Sequence, residues 1–331
     1  MSTPNTQAVH RRARHTMARR SSRLSALTAI LVLGLSASAA AAKPSPPDVS
    51  TGAAKDVSYS SADLTGNVNP KASNTSYYFQ FGATKAYGGQ STIADAGAGS
   101  SSVAVAVPIG GLQPLTVYHY RLVAVNATGA TLGGDHTFVT TKVPLSLAIL
   151  AFPSPVSFGA PVTVQGTLSG TENGGRQVIL QAEQFPFTTG FQDVGNPELT
   201  EATGGFKFTL LDDTQTAQFR VVTTTNPAVV SPPVTEGVAV IVTSHVSKGR
   251  RRGYVRFYGT VTPAENGAQI GILHITHGHG VLAGGTTLKA NSAASSKFSR
   301  ELKVGKGVYR IGARLLDAAQ VSAYGQPLVI G

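Results

Sequence analysis

The sequence predicts an all-β chain of three consecutive antiparallel β-sandwiches that follow an N-terminal export signal. Three observations predict this fold class. Apolar side chains recur at every second position in many short segments, as they do in strands with one buried face. Turn-forming residues, with 37 Gly and 18 Pro among 331 residues, separate these segments. A unit of about 90 residues occurs twice in the second half of the chain.

The composition limits the class of protein further. Hydrophobic residues make up 41% of the chain, which is enough to bury cores and excludes a disordered chain. The chain has no cysteine, so disulfides and cysteine-ligated zinc are excluded and each domain must be stabilised by packing.

Residues 1–42 have the pattern of a secretory signal. Six arginines between Arg11 and Arg23 precede an apolar run from Leu24 to Leu35, and small residues follow up to Ala42. We expect cleavage after Ala42 and a secreted or cell-surface location. An uncleaved membrane anchor is the alternative, because residues 24–42 carry no charge; a spanning helix requires about 20 strongly apolar residues, and this run ends in Ser and Ala.

The charge of the remaining chain is uneven. Without the signal, 21 basic residues face 16 acidic ones. Residues 43–234 contain 9 basic and 12 acidic residues, whereas residues 235–331 contain 12 basic and 4 acidic ones. The last third is therefore basic, and such a surface attracts anionic polymers without sequence specificity.

The first sandwich is predicted for residues 43–142. Its expected strands cover residues 62–70, 75–82, 102–108 and 135–141, and a fourth in chain order begins at Tyr118 within the stretch 111–126. In this fourth strand, Tyr118, Tyr120, Leu122 and Ala124 alternate onto one face. Tyr118 is assigned a structural role, because a tyrosine entering a late strand can close the preceding corner through a bond to upstream backbone.

These residues carry a family resemblance. The motifs LTGNVNP, YYFQFG, LQPLTVYHYRLVAVN and TFVTT make residues 43–141 resemble a fibronectin type III domain of secreted bacterial proteins. One departure is that the tryptophan typical of animal members, expected near Gly66, is absent. We expect Tyr77, Phe79 and Phe81 to fill that core instead.

The internal repeat predicts two further domains, 143–234 and 235–331. Gly166-Thr167-Leu168 recurs as Gly259-Thr260-Val261, and Glu172-Asn173-Gly174 as Glu265-Asn266-Gly267, both at an offset of 93. Phe206 recurs as Phe298 at an offset of 92. The copies resemble bacterial Ig-like repeats of cell-surface proteins. Both Asn-Gly pairs are predicted to form hairpins, and linkers are expected near 142–145 and 231–236.

One histidine cluster is a candidate metal site. His274, His277 and His279 lie within six residues, and His277 and His279 would point the same way if both lay on one strand. No carboxylate or cysteine lies close in sequence to complete a ligand shell. A solvent-facing strand end is the favoured interpretation, so neither a metal nor another cofactor is predicted.

The basic run at Lys248, Arg250, Arg251 and Arg252 is the candidate polyanion-binding site. It is expected at the turn between the first two strands of the third domain. Clustered Lys and Arg suffice for contact with teichoic acid, acidic polysaccharide or nucleic acid. No aromatic residues are interleaved in this run, so a specific nucleic-acid groove is not expected. An ordinary charged turn is the alternative.

Catalytic patterns are not found. Asp212-Asp213 and the pair Glu198 and Glu201 are the nearest to paired carboxylates, but adjacent acids on a strand point to opposite faces. His119 has no Ser or Asp partner near it in sequence, and no metalloprotease, nucleophile-elbow or phosphate-loop motif occurs. We therefore do not expect an enzyme.

These observations support two hypotheses. The first is a non-catalytic secreted or cell-surface protein that acts as a spacer or binding module, whose partner is an anionic cell-wall polymer or another envelope protein. No specific nucleic acid and no membrane contact beyond the signal are expected. The second is an accessory carbohydrate-binding or partner-binding subunit of a secreted enzyme system.

Overall fold

The computed structural model of the protein describes Lys43 and residues 45–331. The export signal expected for residues 1–42 therefore lies outside the described residues. The described chain consists of strands, turns and loops, which confirms the predicted all-β fold class. Within this part of the chain, no helix is long and apolar enough to cross a membrane.

The first sandwich contains two sheets around one hydrophobic core. Its strands are β1 (Asp48–Thr51), β2 (Ser61–Asn69), β3 (Thr75–Gly82), β4 (Gly89–Gln90), β5 (Ala94–Gly97), β6 (Val103–Gly110), β7 (Val117–Asn126), β8 (Gly129–Leu132) and β9 (His136–Val139). One sheet has the order β1-β2-β6. In the other, β3 pairs with β7, and β4, β5, β8 and β9 pair at the outer edges.

The alternation of side chains explains this core. Phe79 is fully buried and Tyr77 nearly so, and both pack with Tyr120 and Leu122 of the partner strand. Aromatic side chains of β3 and β7 thus occupy a core that has no tryptophan. The Tyr118 hydroxyl accepts a hydrogen bond from the backbone N–H of Gln113 at 3.0 Å, which joins β7 to the loop before it.

The second sandwich follows after residue 145. Its strands are β10 (Ser146–Phe152), β11 (Val156–Ser157), β12 (Ala160–Ser169), β13 (Gln177–Gln184), β14 (Gln192–Asp193), β15 (Glu198–Leu199), β16 (Gly205–Asp213), β17 (Ala217–Thr223), β18 (Val234–Glu236) and β19 (Val238–Ala239). The sheet β10-β12-β16 packs on the sheet in which β13 pairs with β14, β15 and β17, and β17 with β18. The short strand β19 pairs in parallel with β11.

The third sandwich repeats this plan. Its strands are β20 (Ile241–Lys248), β21 (Tyr254–Thr262), β22 (Gln269–Thr276), β23 (His279–Thr287), β24 (Lys289–Ala290), β25 (Ser296–Lys303), β26 (Gly307–Arg314) and β27 (Leu328–Ile330). The two sheets have the orders β20-β21-β25-β24 and β23-β22-β26-β27. Phe257, Ile272 and Ile311 are fully buried between them.

The segment that connects the second sandwich to the third is itself a strand of a sheet. The boundary expected at residues 234–235 falls inside β18, which pairs with β17. Val238 is buried in the second core and Val240 in the third. The chain therefore leaves one core and enters the other within three residues, and residues 234–236 form an edge strand where the sequence predicted a linker.

The two Asn-Gly pairs do not form hairpins, contrary to the prediction. β12 and β13 belong to opposite sheets, as do β21 and β22, so each turn carries the chain across the sandwich. In the second sandwich, the side-chain amide of Asn173 donates to the carbonyl oxygen of Leu168 at 2.9 Å, which holds the crossing turn against the end of β12. An Asn-Gly pair favours a tight reversal but does not specify which strands it connects.

Candidate anion-binding face

The basic turn, residues 248–252, joins the first two strands of the third sandwich. The backbone N–H of Gly249 donates to the carbonyl oxygen of Tyr254 at 2.8 Å, and that of Tyr254 to Arg251 at 3.0 Å. The following Gly253 has a φ of +81°, a conformation that glycine adopts without strain. These bonds turn the chain tightly and leave all four basic side chains exposed.

Beside this turn lies the outer face of the sheet β20-β21-β25-β24, which we call the basic face. Alternate residues of each strand point outward, because Phe257 and Phe298 point into the core. The register places these outward side chains next to one another across the sheet: Thr243, His245, Arg256, Tyr258, Thr260, Lys289, Lys297, Ser299, Glu301 and Lys303.

Arg256 is held in place at the centre of the basic face. Its Nε donates a hydrogen bond to the Ser299 hydroxyl at 2.8 Å. Its guanidinium carbon lies 5.1 Å from the centroid of the Tyr258 ring, a cation–π distance. The same ring lies 5.6 Å from the His245 ring on the neighbouring strand. These contacts fix the guanidinium group relative to the sheet.

A groove of about 540 Å³ runs over this face. Its lining includes five residues with hydroxyl side chains and three cations: Thr243, Thr260, Thr286, Thr287, Ser299, Arg256, Lys289 and Lys297. Its volume lies within the range of about 300–1,000 Å³ that is typical of ligand sites.

Cations accumulate on this side of the third sandwich, where Glu301, opposite Arg256 on the neighbouring strand, is the one carboxylate of the basic face. Of the 12 basic residues after position 234, eight belong to the basic turn or the basic face. Among the described residues, every ion pair lies between Asp48 and Arg176, outside the third sandwich. Glu301 accepts a hydrogen bond from the backbone N–H of Arg250 at 3.4 Å.

The second sandwich has the same outer face with different side chains. By register, Leu150 corresponds to His245, Thr163 to Arg256, Gln165 to Tyr258 and Gly205 to Lys297. A groove of about 450 Å³ lies over this face as well. The two repeats thus share the groove but differ in its charge. In the part of the chain that the structure describes, the groove of the second sandwich is lined by one cation, Lys207, and one carboxylate, Glu201, whereas that of the third is lined by Arg256, Lys289 and Lys297 without a carboxylate.

His277 and His279 do not lie on one strand, as the candidate metal site assumed. His277 lies in the two-residue turn between β22 and β23 with a φ of +50°, and His279 begins the next strand. His274 stacks on Tyr309 with ring centroids 4.6 Å apart. Among the described residues, no three His, Asp or Glu side chains converge as they would around a metal ion.

The acidic pairs are placed apart from the groove of the basic face. Asp212 and Asp213 end β16, and Glu198 lies on the short strand β15. Burial raises the pKa of Asp213, whose Oδ2 has no hydrogen-bond partner among the described residues. Burial also raises the pKa of Glu236, and its Oε1 accepts a hydrogen bond from the backbone N–H of Val156 at 3.1 Å.

His119 has a partner that its sequence neighbourhood did not reveal. Its Nδ1 lies 3.0 Å from Oδ2 of Asp135, and the Tyr87 hydroxyl donates to Oδ1 of the same carboxylate at 2.9 Å. The hydrogen bond with His119 is the main cause of a lowered pKa of Asp135. This network ties the loop at Tyr87 to β7.

The aromatic and cationic residues of the basic face were missed by reasoning from sequence. The signal was present, since Tyr254, Arg256 and Tyr258 alternate along one strand. Lys289 and Lys297 lie far from them in sequence, and only the register of β25 with β21 and β24 brings them to the same groove.

Comparisons with known proteins assign no family to the chain. No protein-family model and no curated protein sequence matches it. Solved structures show a low likeness to the chain, and three of them serve as examples. The chicken CNTN1 FN1–FN3 domains share 14% identity over 86% of this chain and 96% of that chain, with a TM-score of 0.30. A tetra-tandem repeat in the extending region of a large adhesion protein shares 15% identity over 86% of this chain and 74% of that one, with a TM-score of 0.29.

The third is the sensor domain of the anti-sigma factor RsgI4 from Pseudobacteroides cellulosolvens. It shares 17% identity over 29% of this chain and 96% of that chain, with a TM-score of 0.25. Because all three TM-scores lie below 0.5, they assign neither a family nor a function to this chain. The resemblance of residues 43–141 to fibronectin type III domains therefore rests on its sequence motifs.

Proposed function

We propose that the chain is a non-catalytic, exported protein in which tandem β-sandwiches act as a spacer and the third sandwich attaches to an anionic polymer of the cell envelope. One observation carries the proposal. Eight cations lie on the basic turn and the basic face, and no carboxylate among the described residues forms an ion pair with them.

The physical basis is the field of unpaired charges. Clustered cations raise the local concentration of anionic chains, and contact with a polyanion releases its counterions. The reach of exposed charges is about 10 Å at 0.1 M salt and shortens as salt is added. Attachment of this kind therefore weakens with ionic strength.

The placement of ionisable side chains supports a non-catalytic role. Asp212 and Asp213 are adjacent in sequence at the end of β16. Of the second acid pair, Glu198 and Glu201, only Glu201 lines the groove of the second sandwich. The hydrogen-bond partners of Asp135 are His119 and Tyr87, and no serine, threonine or cysteine takes part in this network. The described residues that line the groove of the basic face include hydroxyl, cationic and aromatic residues and His245 but no Asp or Glu, so this groove lacks the paired carboxylates of glycoside hydrolysis.

The test is retention of residues 43–331 on isolated bacterial cell walls over a range of salt concentrations. We expect retention to fall steadily as salt rises. A variant with Lys248, Arg250, Arg251 and Arg252 replaced by Ala is expected to be retained less at every salt concentration. The matched control replaces Lys43, Lys55, Lys85 and Lys207 by Ala, which removes the same charge outside the third sandwich. Retention that is indifferent to salt would exclude the electrostatic mechanism.

A second candidate function is an accessory carbohydrate-binding subunit of a secreted enzyme system. The hydroxyl-lined groove favours it, because such a lining complements sugar hydroxyls. Copurification of the chain with a glycan-degrading activity from culture medium would support this function, and recovery of the chain on the cell wall without such an activity would exclude it.

A further inference from the structure

We propose that the basic face, with its groove, is a binding site for a linear acidic polysaccharide. This inference rests on the proposed function and names the class of polymer and the residues that bind it. Three properties of the face lead to this class: the length over which its cations are spread, its hydroxyl lining, and the packing of its tyrosine.

The length of the face indicates a polymer. The residues from Tyr254 to Thr260 span six steps along β21, or roughly 20 Å at about 3.3 Å per residue. Lys303 pairs with Tyr254 at one end of this span, and Lys297 pairs with Thr260 at the other. Arg256 lies between them. A single small anion cannot contact cations over such a distance, whereas an extended chain with repeated carboxylates can.

One pair of lysines indicates that the face is adapted to a negatively charged ligand. Lys289 and Lys297 are directly opposite each other on β24 and β25, and both line the groove. Like charges in directly opposite positions destabilise a sheet. The position of Lys297 in the second sandwich is Gly205, so the fold does not require a lysine there. An anionic group bound between the two lysines would remove this repulsion.

The lining favours a sugar over a nucleic acid. Five residues with hydroxyl side chains line the groove, and a hydroxyl can both donate and accept a hydrogen bond: Thr243, Thr260, Thr286, Thr287 and Ser299. Binding of single-stranded nucleic acid relies on aromatic rings on which bases stack. The ring of Tyr258 instead packs against Arg256 and His245. The face therefore presents cations and hydroxyls, the groups that complement an acidic polysaccharide.

Arg256 is pre-organised for this role. Its hydrogen bond to Ser299 and its contact with Tyr258 hold the guanidinium group over the sheet before a ligand binds. A side chain that is already ordered loses less conformational entropy on binding, so its contact with a carboxylate contributes more to affinity.

The experiment compares binding of polygalacturonate by residues 43–331 with binding by a face variant, at an ionic strength of about 0.15 M. The face variant carries His245→Leu, Arg256→Thr, Tyr258→Gln and Lys297→Gly, the residues that the second sandwich has at the same positions. A single Arg256→Thr variant is measured in parallel in case the fourfold variant does not fold. The control, Lys306→Ala with Arg314→Ala, removes the same charge from exposed positions outside the basic face.

We expect the face variant to bind polygalacturonate at least about tenfold more weakly and Arg256→Thr several-fold more weakly, while the control stays within about twofold. We also expect no binding to neutral dextran, and weaker binding to polyphosphate and to oligothymidylate than to polygalacturonate. Equal losses in the face variant and the control would overturn the inference, as would equal affinity for the three polyanions. In both cases salt-dependent retention on cell walls would still support the proposed function, which fails only if that retention is absent or indifferent to salt.

Discussion

The second and third sandwiches share their strand pairing and differ in their outer surfaces. In both, an aromatic side chain packs on the glycine of the repeated Gly-Thr motif: Phe206 next to Gly166, and Phe298 next to Gly259. On the outer face, Gln165 of the second copy is replaced by Tyr258 of the third. The inward residues are thus the ones that specify this sandwich, while the outward residues are free to differ in chemistry.

The turns that cross between the sheets also differ between the two copies, in the electrostatic environment of one glutamate. Glu172 of the second sandwich and Glu265 of the third occupy the same repeat position. The hydrogen bond from Lys142 is the main cause of a lowered pKa of Glu172, and Arg176 adds to it. Burial, together with the nearby Asp317, raises the pKa of Glu265. One position therefore carries a stabilised carboxylate in one copy and a destabilised one in the other.

The largest expected effect tests whether the two cores are equivalent. Phe206→Ala and Phe298→Ala each remove a buried ring from the same place in the fold, and each should lower the free energy of unfolding by about 3–5 kcal/mol. Hydrogen exchange of the full chain would assign each loss to its own sandwich. A loss confined to one of the two variants would show that the cores are not equivalent.

A smaller effect is expected at the repeated glycines. A Cβ at position 166 would overlap the carbonyl oxygen of Ala148, and one at 259 would overlap that of Thr243. Gly166→Ala and Gly259→Ala should therefore each cost about 1–3 kcal/mol, because backbone must move to accept the methyl group. Gly305→Ala, at a position with no atom within 4 Å of a new Cβ, is the control. The free energy of unfolding is measured with urea. Glycine variants as stable as this control would contradict the close approach of the backbone carbonyl oxygens to Gly166 and Gly259.

The smallest effects are expected to differ in sign between the repeats. Glu172→Gln should lower stability at neutral pH, since an acid with a lowered pKa stabilises the fold above its usual pKa of 4.5, and this contribution is lost as the pH falls through the lowered value. Glu265→Gln should raise stability at neutral pH, since an acid with a raised pKa destabilises the fold as the pH rises from 4.5 through the raised value.

These two predictions are checked by measuring the free energy of unfolding of both glutamine variants at pH 7 and at pH 3. The gain in Glu265→Gln should be absent at pH 3, and the loss in Glu172→Gln should be smaller there than at pH 7. Changes of the same sign at pH 7 would contradict the assigned environments.

The strands were predictable from sequence because their pattern is local. The segment at 75–82 alternates clearly and coincides with β3, and the alternation that begins at Tyr118 within 111–126 lies in β7. The two copies of the repeat could be aligned because they keep the same glycines and aromatic residues, which contact each other in the core. The same alignment could not show that Asn173-Gly174 and Asn266-Gly267 cross between sheets, since a turn signal does not identify the strands that it joins.

The candidate site was only partly predictable. Lys248 and Arg250–Arg252 are contiguous, so the sequence alone identified them as a basic surface. Lys289, Lys297 and Arg256 form one face because β21, β24 and β25 pair side by side, and that pairing joins residues more than 30 positions apart. The hydrogen bond between Arg256 and Ser299 likewise depends on the register of β21 and β25, which local patterns do not determine.

A transfer of the basic face to the second sandwich tests most directly whether outward side chains on a shared fold carry the binding. Starting from the face variant, Leu150→His, Thr163→Arg, Gln165→Tyr, Gly205→Lys and Lys207→Ser are introduced, and the affinity for polygalacturonate is measured by calorimetry. Lys207→Ser is included because Lys207 occupies the position of Ser299, which binds Arg256 in the third sandwich. Our account predicts that binding is regained. A transferred face that fails to bind, while hydrogen exchange shows both sandwiches folded, would contradict it.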